Sequence, residues 1–109
     1  MRTRLLALAL PALALIPLGS VRAAVTEANF QMQTAGDLVA LCSATQDDPL
    51  ATAAVNFCHG FAVGVYQTLS EAQAAMPQKF FCAPQPTPSR NQAIANFVSW
   101  ARGNPRVHA

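Results

Sequence analysis

The sequence predicts a small all-α domain of three helices, stapled by a disulfide and crossed by a proline-rich segment. Three observations indicate this fold class. Apolar residues recur at helical spacing in three segments, while no run alternates as a strand would. Four prolines fall within residues 77–88, which excludes a helix or a central strand there. Three cysteines follow a predicted export signal, which favours disulfide formation.

Residues 1–23 are predicted to form a cleaved signal peptide. Two arginines precede an uncharged run over residues 5–18. That run is shorter than the roughly 20 apolar residues that a membrane-spanning helix needs, so a signal is favoured over an anchor. Cleavage is expected after Ala23, because Val21 and Ala23 place short side chains where a signal peptidase reads them. The mature protein is expected to be soluble, outside the cytoplasm and free of membrane segments.

Removal of the signal reverses the net charge of the chain. The precursor carries a formal charge of +2, whereas residues 24–109 hold four bases against five acids, a net −1. No basic patch remains to neutralise a phosphate backbone, which argues against nucleic acid as a partner. A domain of this size buries only about 60–65% of its unfolded surface, so disulfides or dimerisation are expected to stabilise it.

The first helix is predicted after a loose lead-in over residues 24–33. Thr34 and Asp37 match the capping-box pattern, although the box prefers Glu or Gln at its last position. The apolar residues that follow recur at helical spacing, which predicts a helix over about 35–45 with Cys42 on its apolar face.

A second, longer helix is predicted over residues 49–76. Asp48 is interpreted as its acidic cap, with proline at the first helical position. A broad apolar stripe that includes Phe61 runs along the segment. Gly60 and Gly64 lie four residues apart on one face, where the lack of side-chain bulk helps another helix approach closely. Gly60, Phe61 and Gly64 are therefore predicted helix-packing residues.

The proline-rich segment 77–88 is predicted to be a rigid, extended crossover that leads to a third helix. Thr87 with Pro88 is expected to open this helix, and Gly103 with Pro105 is expected to close it. The residues predicted to form its core face recur at i, i+3, i+4 and i+7: Ile94, Phe97, Val98 and Ala101.

Cys42 and Cys58 are predicted to form a disulfide. Each lies on the apolar face of one of two consecutive helices, and helices joined by a short turn usually pack antiparallel. The alternative is a pair of buried free thiols, which export to an oxidising compartment disfavours. Cys82 is the odd cysteine, so it stays free, pairs with another chain, or pairs with a segment that this chain lacks.

No catalytic, cofactor or metal site is predicted. Cys58-His59 lacks the first cysteine of a haem attachment motif, since Val55 occupies that position. Neighbouring residues on a helix diverge by about 100°, so Cys58 and His59 do not face one another as a nucleophile and its base would. His59 and His108 with one spare cysteine match no zinc spacing.

Several of these motifs carry a family resemblance. Two segments resemble the immunity proteins of the Rap/Tai type. The first is Thr34-Ala35-Gly36-Asp37-Leu38 followed by Leu41-Cys42, and the second is Phe57-Cys58-His59-Gly60-Phe61-Ala62-Val63-Gly64-Val65. Phe81-Cys82-Ala83-Pro84 and Asn104-Pro105 match as well, so the resemblance spans about residues 34–108.

The resemblance implies a periplasmic, largely helical and often dimeric protein. Such proteins bind and block a toxic peptidoglycan amidase delivered by type VI secretion. Cys42 and Cys58 match the first cysteine pair of the family and Cys82 matches the third cysteine. The family's final helix, which ends in Phe-Pro-Cys and would make a four-helix domain, has no counterpart in this sequence. We therefore expect a domain over residues 34–109 that lacks the second disulfide.

The resulting interpretation is an inhibitory binding protein, without enzymatic activity or cofactor, whose partners are a cognate amidase toxin and a second copy of the chain. The candidate contact regions are the rigid Pro84–Pro88 crossover and the exposed ends of the helices. Three alternatives are a small periplasmic chaperone, a structural subunit of an envelope complex, and an enzyme that uses a reactive Cys82.

Overall fold

The predicted all-α class is confirmed. The computed structural model describes residues 24–109, so the predicted signal peptide lies outside the described residues. The elements are, in chain order, a 3-10 helix at Glu27–Gln31, α1 at Ala35–Cys42, α2 at Ala51–Ala74, α3 at Arg90–Gly103 and a second 3-10 helix at Pro105–His108. No strand occurs in this part of the chain. None of these helices combines the length and hydropathy that crossing a bilayer requires.

The predicted capping box at the start of α1 is confirmed. The Thr34 hydroxyl accepts from the Asp37 backbone N–H at 3.2 Å, and the Asp37 carboxylate accepts from the Thr34 N–H at 2.9 Å. The Asn29 side chain donates to the other Asp37 oxygen at 2.9 Å. The hydrogen bond from Asn29, followed by that from the Thr34 backbone, lowers the pKa of Asp37 from its ordinary value. Helix α1 ends at Cys42, three residues before the predicted end.

Residues 24–33 pack against the helices, which differs from the loose lead-in expected from the sequence. Val25 is buried, and its N–H donates to an Asp48 carboxylate oxygen at 2.7 Å. The Phe30 ring meets the Phe57 ring edge-on, with centroids 5.6 Å apart. These partners lie more than 20 positions away in the chain, so local periodicity carries no signal for them.

The start of α2 is shifted from the prediction. Asp48 was expected to cap it, but the helix begins at Ala51 with Leu50 at the N-cap position. The second Asp48 oxygen instead accepts from the Leu50 N–H at 2.8 Å, so it closes the turn before the helix. One carboxylate thereby joins the N-terminal segment to the entry of α2.

The start of α3 is also shifted, whereas its predicted end at Gly103 is confirmed. Ser89, and not Thr87 with Pro88, caps the helix: its hydroxyl accepts from the Gln92 N–H at 3.2 Å, and the Gln92 side chain accepts from the Ser89 N–H at 3.0 Å. On the predicted core face, Val98 and Ala101 are buried, whereas Ile94 and Phe97 are half-buried.

The predicted disulfide is present and lies at the centre of the packed region. Cys42, the last residue of α1, is bonded to Cys58 in the second turn of α2, with Cα atoms 5.2 Å apart. Cys58 is 1% exposed, and Leu41, which precedes Cys42 in the chain, is fully buried. Leu41 packs with Val25 and Ala54 in the hydrophobic core. The bridge therefore joins α1 to the N-terminal part of α2, where the core is.

The C-terminal 3-10 helix folds back onto the start of α1. His108 Nε2 lies 2.8 Å from the Ala101 carbonyl oxygen. A Cβ added at Gly36 would lie 2.6 Å from the His108 carbonyl oxygen, so only glycine admits this close approach. Gly36 therefore lets the C-terminal turn connect α1 with the end of α3.

Candidate interaction surface

Helix α2 extends well beyond the core that anchors it. Its two buried residues, Ala54 and Cys58, lie in its first two turns. Beyond them the side chains stay apolar but exposed: Phe61 is 38% exposed, Tyr66 51% and Leu69 40%. The C-terminal two-thirds of α2 thus presents an apolar surface that the other described elements cover only in part.

The crossover returns along this exposed part of α2 and is fixed to it at one end. The Lys79 ammonium donates to the Gln73 carbonyl oxygen at 2.8 Å, and the Gln73 side-chain oxygen accepts from the Phe81 N–H at 3.2 Å. The Phe81 ring lies beside Tyr66, with centroids 5.9 Å apart, and beside Phe80 at 5.5 Å. The hydrogen bonds and ring contacts hold the crossover at a defined distance from the helix.

An apolar groove of about 730 Å³ lies between α2, the crossover and α3. Two of its lining residues, Leu38 and Cys42, belong to α1. The other principal lining residues come, in turn, from α2, the crossover and α3: Ala62, Tyr66, Leu69, Phe81, Cys82, Pro84, Ile94 and Phe97. A concave, mostly apolar surface of this size is typical of binding sites in proteins.

The described lining of the groove is almost free of charge. Arg90, the first residue of α3, is the one charged side chain among the described lining residues, and no Asp or Glu lines the groove. His59 and Gln67 are among the polar residues that line it. The described lining is therefore apolar apart from this guanidinium and a few uncharged polar groups.

A second, shallower hollow of about 390 Å³ lies along α2 itself, at Gly60, Phe61 and Gly64. A Cβ added at either glycine would meet no atom within 4 Å. No described element therefore packs on this face, and the helix packing predicted for these three residues stays a prediction.

The other residues singled out in the sequence form no reactive cluster in residues 24–109. The Cys58 sulfur is held in the disulfide, so it offers no thiolate to the neighbouring His59. No group of three or more histidine, cysteine or acidic residues with the geometry of a metal site occurs in the described range. Cys82 is exposed, outside any disulfide of the described chain, and is one of the residues that line the groove.

The fold and this surface define a small, disulfide-stapled helical domain that presents an apolar groove beside a proline-rich crossover. The family model of the Rap1a immunity proteins matches residues 34–109, and the chain belongs to this family. No curated protein and no solved structure matches the chain. Members of an immunity family bind a cognate effector protein, and the family is typically non-enzymatic.

Sequence reasoning named the crossover as a candidate contact region, which stays a prediction, and did not predict the groove that the crossover borders. Tyr66 and Phe81 are 15 positions apart, and Arg90 follows a further loop, so their common surface depends on how the crossover returns. One local signal was present. An aromatic residue lies on α2 and two more precede the prolines, and aromatic side chains tend to stack on one another, so contact between the crossover and α2 could have been expected.

Proposed function

We propose that this protein is a periplasmic immunity protein that binds and sterically inhibits a peptidoglycan amidase effector delivered by type VI secretion. The observation that carries the proposal is the family match over residues 34–109. The amidase, the secretion route and the compartment go beyond the family match and are what the resemblance to the Rap/Tai-type immunity proteins implies.

Two features support a periplasmic site of action. The sequence begins with a pattern typical of an export signal. The Cys42–Cys58 disulfide lies within the core, and such bonds persist in oxidising compartments outside the cytoplasm. An amidase that attacks peptidoglycan would meet its inhibitor in the same compartment.

The proposed inhibition is by occlusion of the enzyme's substrate cleft. A binding surface held by a disulfide and a proline-rich segment loses little conformational entropy on association, which favours tight binding. No proton or electron transfer from the immunity protein is needed, because a bound domain excludes peptidoglycan by its volume.

The proposal includes a homodimer that packs through the hollow on α2. Gly60 and Gly64 allow close approach of a second helix, while the exposed Phe61 ring supplies apolar area. Gly64→Leu tests the interface apart from the fold. An added Cβ at this position meets no described atom within 4 Å, and glycine disfavours helix by about 1 kcal/mol, so the helix should persist. The variant should sediment as a folded monomer where the wild type sediments as a dimer. A wild-type monomer at all concentrations would contradict the homodimer.

Protection of bacteria from a periplasmic amidase tests the function. Peptidoglycan amidase effectors of type VI secretion systems are directed, one at a time, to the periplasm of a reporter strain, where each should lyse the cells. Co-expression of the full chain with its leader should prevent lysis by one of them. Purified protein should bind the amidase and suppress its cleavage of isolated peptidoglycan.

The matched control is the same chain without residues 1–23, which is retained in the cytosol and should not protect. Suppression of lysis by this cytosolic form, or failure of the exported form to protect and to bind, would contradict the proposal. If the purified protein instead suppresses the aggregation of several unrelated client proteins and binds no amidase, the chaperone alternative is favoured.

A further inference from the structure

The beginning of the described chain is held in place at Val25. This residue is buried and packs with Leu41 and Ala54 in the hydrophobic core. Its N–H donates to one oxygen of the Asp48 carboxylate at 2.7 Å, and the other oxygen accepts from the Leu50 N–H at 2.8 Å. The chain therefore enters the core directly beside a carboxylate that also closes the turn before α2.

The Asp48 carboxylate has acceptor capacity for a further donor. Each of its oxygens accepts one N–H from the described chain, whereas an ionised carboxylate offers about four acceptor sites. The residue is half-buried, and its side chain makes no ion pair within residues 24–109. A positive group within about 4–6 Å interacts favourably with such a carboxylate. The site is therefore suited to an ammonium group.

Cleavage of the predicted signal peptide would create an ammonium group next to Val25. The expected cut after Ala23 leaves Ala24 as the first residue. Its nitrogen is an uncharged amide in the precursor and becomes an α-amino group, mostly protonated at neutral pH, in the mature chain. Successive backbone nitrogens lie at most about 3.7 Å apart, so this nitrogen is within about 6.4 Å of the Asp48 oxygen that Val25 contacts. Because Ala24 is exposed, rotation about its bonds can bring the ammonium into contact with the carboxylate.

We propose that removal of the signal peptide creates an ion pair between the α-ammonium of Ala24 and the carboxylate of Asp48, which holds the N-terminal segment against the entry of α2. The pair forms only after processing, because the precursor carries an amide at this position. The mature domain is thus more stable than the same residues behind an uncleaved leader. Its full stability therefore arises only after export.

An insertion in the exported protein tests the ion pair. Two serines placed directly after Ala23 keep the leader and its predicted cleavage position, and they move the ammonium two residues away from Val25. The wild type and the insertion variant are expressed with the leader and purified from the periplasm, and intact mass identifies the first residue of each. The folding equilibrium constant, measured by urea unfolding, should be about five- to tenfold higher for the wild type.

Removal of single charges identifies the partner of the ammonium. In the Asp48→Asn background the insertion should change the constant by less than about twofold, because the amide keeps an acceptor for the Val25 N–H but carries no charge. Glu27→Gln is the matched control: this exposed acid lies three residues from Ala24, and the full effect of the insertion should remain. Transamination with pyridoxal phosphate converts the α-amino group of the wild type to a carbonyl, leaves Asp48 unaltered and should give the same loss as the insertion.

A wild type that begins at Ala24, and that is destabilised by the insertion only when Asp48 is present, supports the ion pair. An equal loss in the Asp48→Asn background, or unchanged unfolding after insertion and after transamination, would overturn it. A mature chain that begins at any other residue would overturn it as well. If Asp48→Asn does not fold, the transaminated wild type and the transaminated Glu27→Gln variant decide, and a loss in both supports the pair. None of these results bears on the immunity function, which the protection assay tests.

Discussion

Removal of the Cys42–Cys58 disulfide should cost this domain a large part of its stability. The bridge closes a loop across 16 sequence positions, and the chain-entropy model gives about 3 kcal/mol for a loop of that length. The total unfolding free energy of a protein is typically about 5–15 kcal/mol, and a domain of this size belongs near the lower end. The double replacement Cys42→Ala/Cys58→Ala should therefore remove a third or more of it. Alanine is preferred to serine because Cys58 is 1% exposed, and a hydroxyl there would be buried.

Urea unfolding of the full mature protein, followed by circular dichroism and by the fluorescence of the single tryptophan, measures this loss. With a denaturant slope of about 1–3 kcal/mol per molar, the midpoint should fall by at least about 1 M. Cys82→Ala is the matched control and should leave the midpoint unchanged, because that side chain is exposed and outside the bridge. A double variant with the wild-type midpoint would refute the reasoning, because the closed loop would then contribute nothing to folding.

Three further predictions test contacts on either side of the bridge. Asp48→Asn should lower the free energy of unfolding by about 1.5–3 kcal/mol, because one carboxylate accepts both the Val25 N–H and the N–H of Leu50, the α2 N-cap residue. Unchanged hydrogen exchange at the Val25 amide would contradict this prediction. Hydrogen bonds hold the pKa of Asp37 below its ordinary value of 3.8, so the carboxylate stabilises the fold above about pH 4 and this stability is lost as the pH falls through the lowered pKa. Asp37→Asn should accordingly flatten the acid limb of the stability profile measured by circular dichroism, and an unchanged limb would refute the assignment. Gly36→Ala should cost about 1–3 kcal/mol, because its Cβ would lie 2.6 Å from the His108 carbonyl oxygen; a thermal midpoint equal to that of the wild type would show that the C-terminal turn shifts freely.

The helices and the disulfide were accessible from the sequence because each rests on a short-range pattern. The Thr34–Asp37 cap spans three residues, and the apolar spacing of each helix repeats within one or two turns. The bridge followed from two cysteines on consecutive helices behind an export signal. The predicted starts of α2 and α3 were wrong by two residues or so, because Asp48 and Thr87 are good caps locally, while packing selected Leu50 and Ser89.

The groove and the packed N-terminal segment were not accessible in the same way. Val25 is buried through its bond to Asp48, 23 positions away, and no local period indicates that pairing. The groove depends on Gln73 holding the backbone of Phe81, which sets the return path of the crossover. Such contacts depend on the relative placement of whole elements, which a pattern of three to seven residues does not encode.

The sequence by itself determined the helical class, the cysteine pair that joins α1 to α2 and the family over residues 34–109. Local backbone preferences, apolar period and cysteine chemistry are properties of neighbouring residues, so they can be recognised before folding. Only the tertiary structure decided that α2 extends beyond the core, that Gly36 admits the C-terminal turn, and that Arg90 lines an apolar groove. Those features arise where distant segments meet, and their geometry is set by the packing of the whole chain.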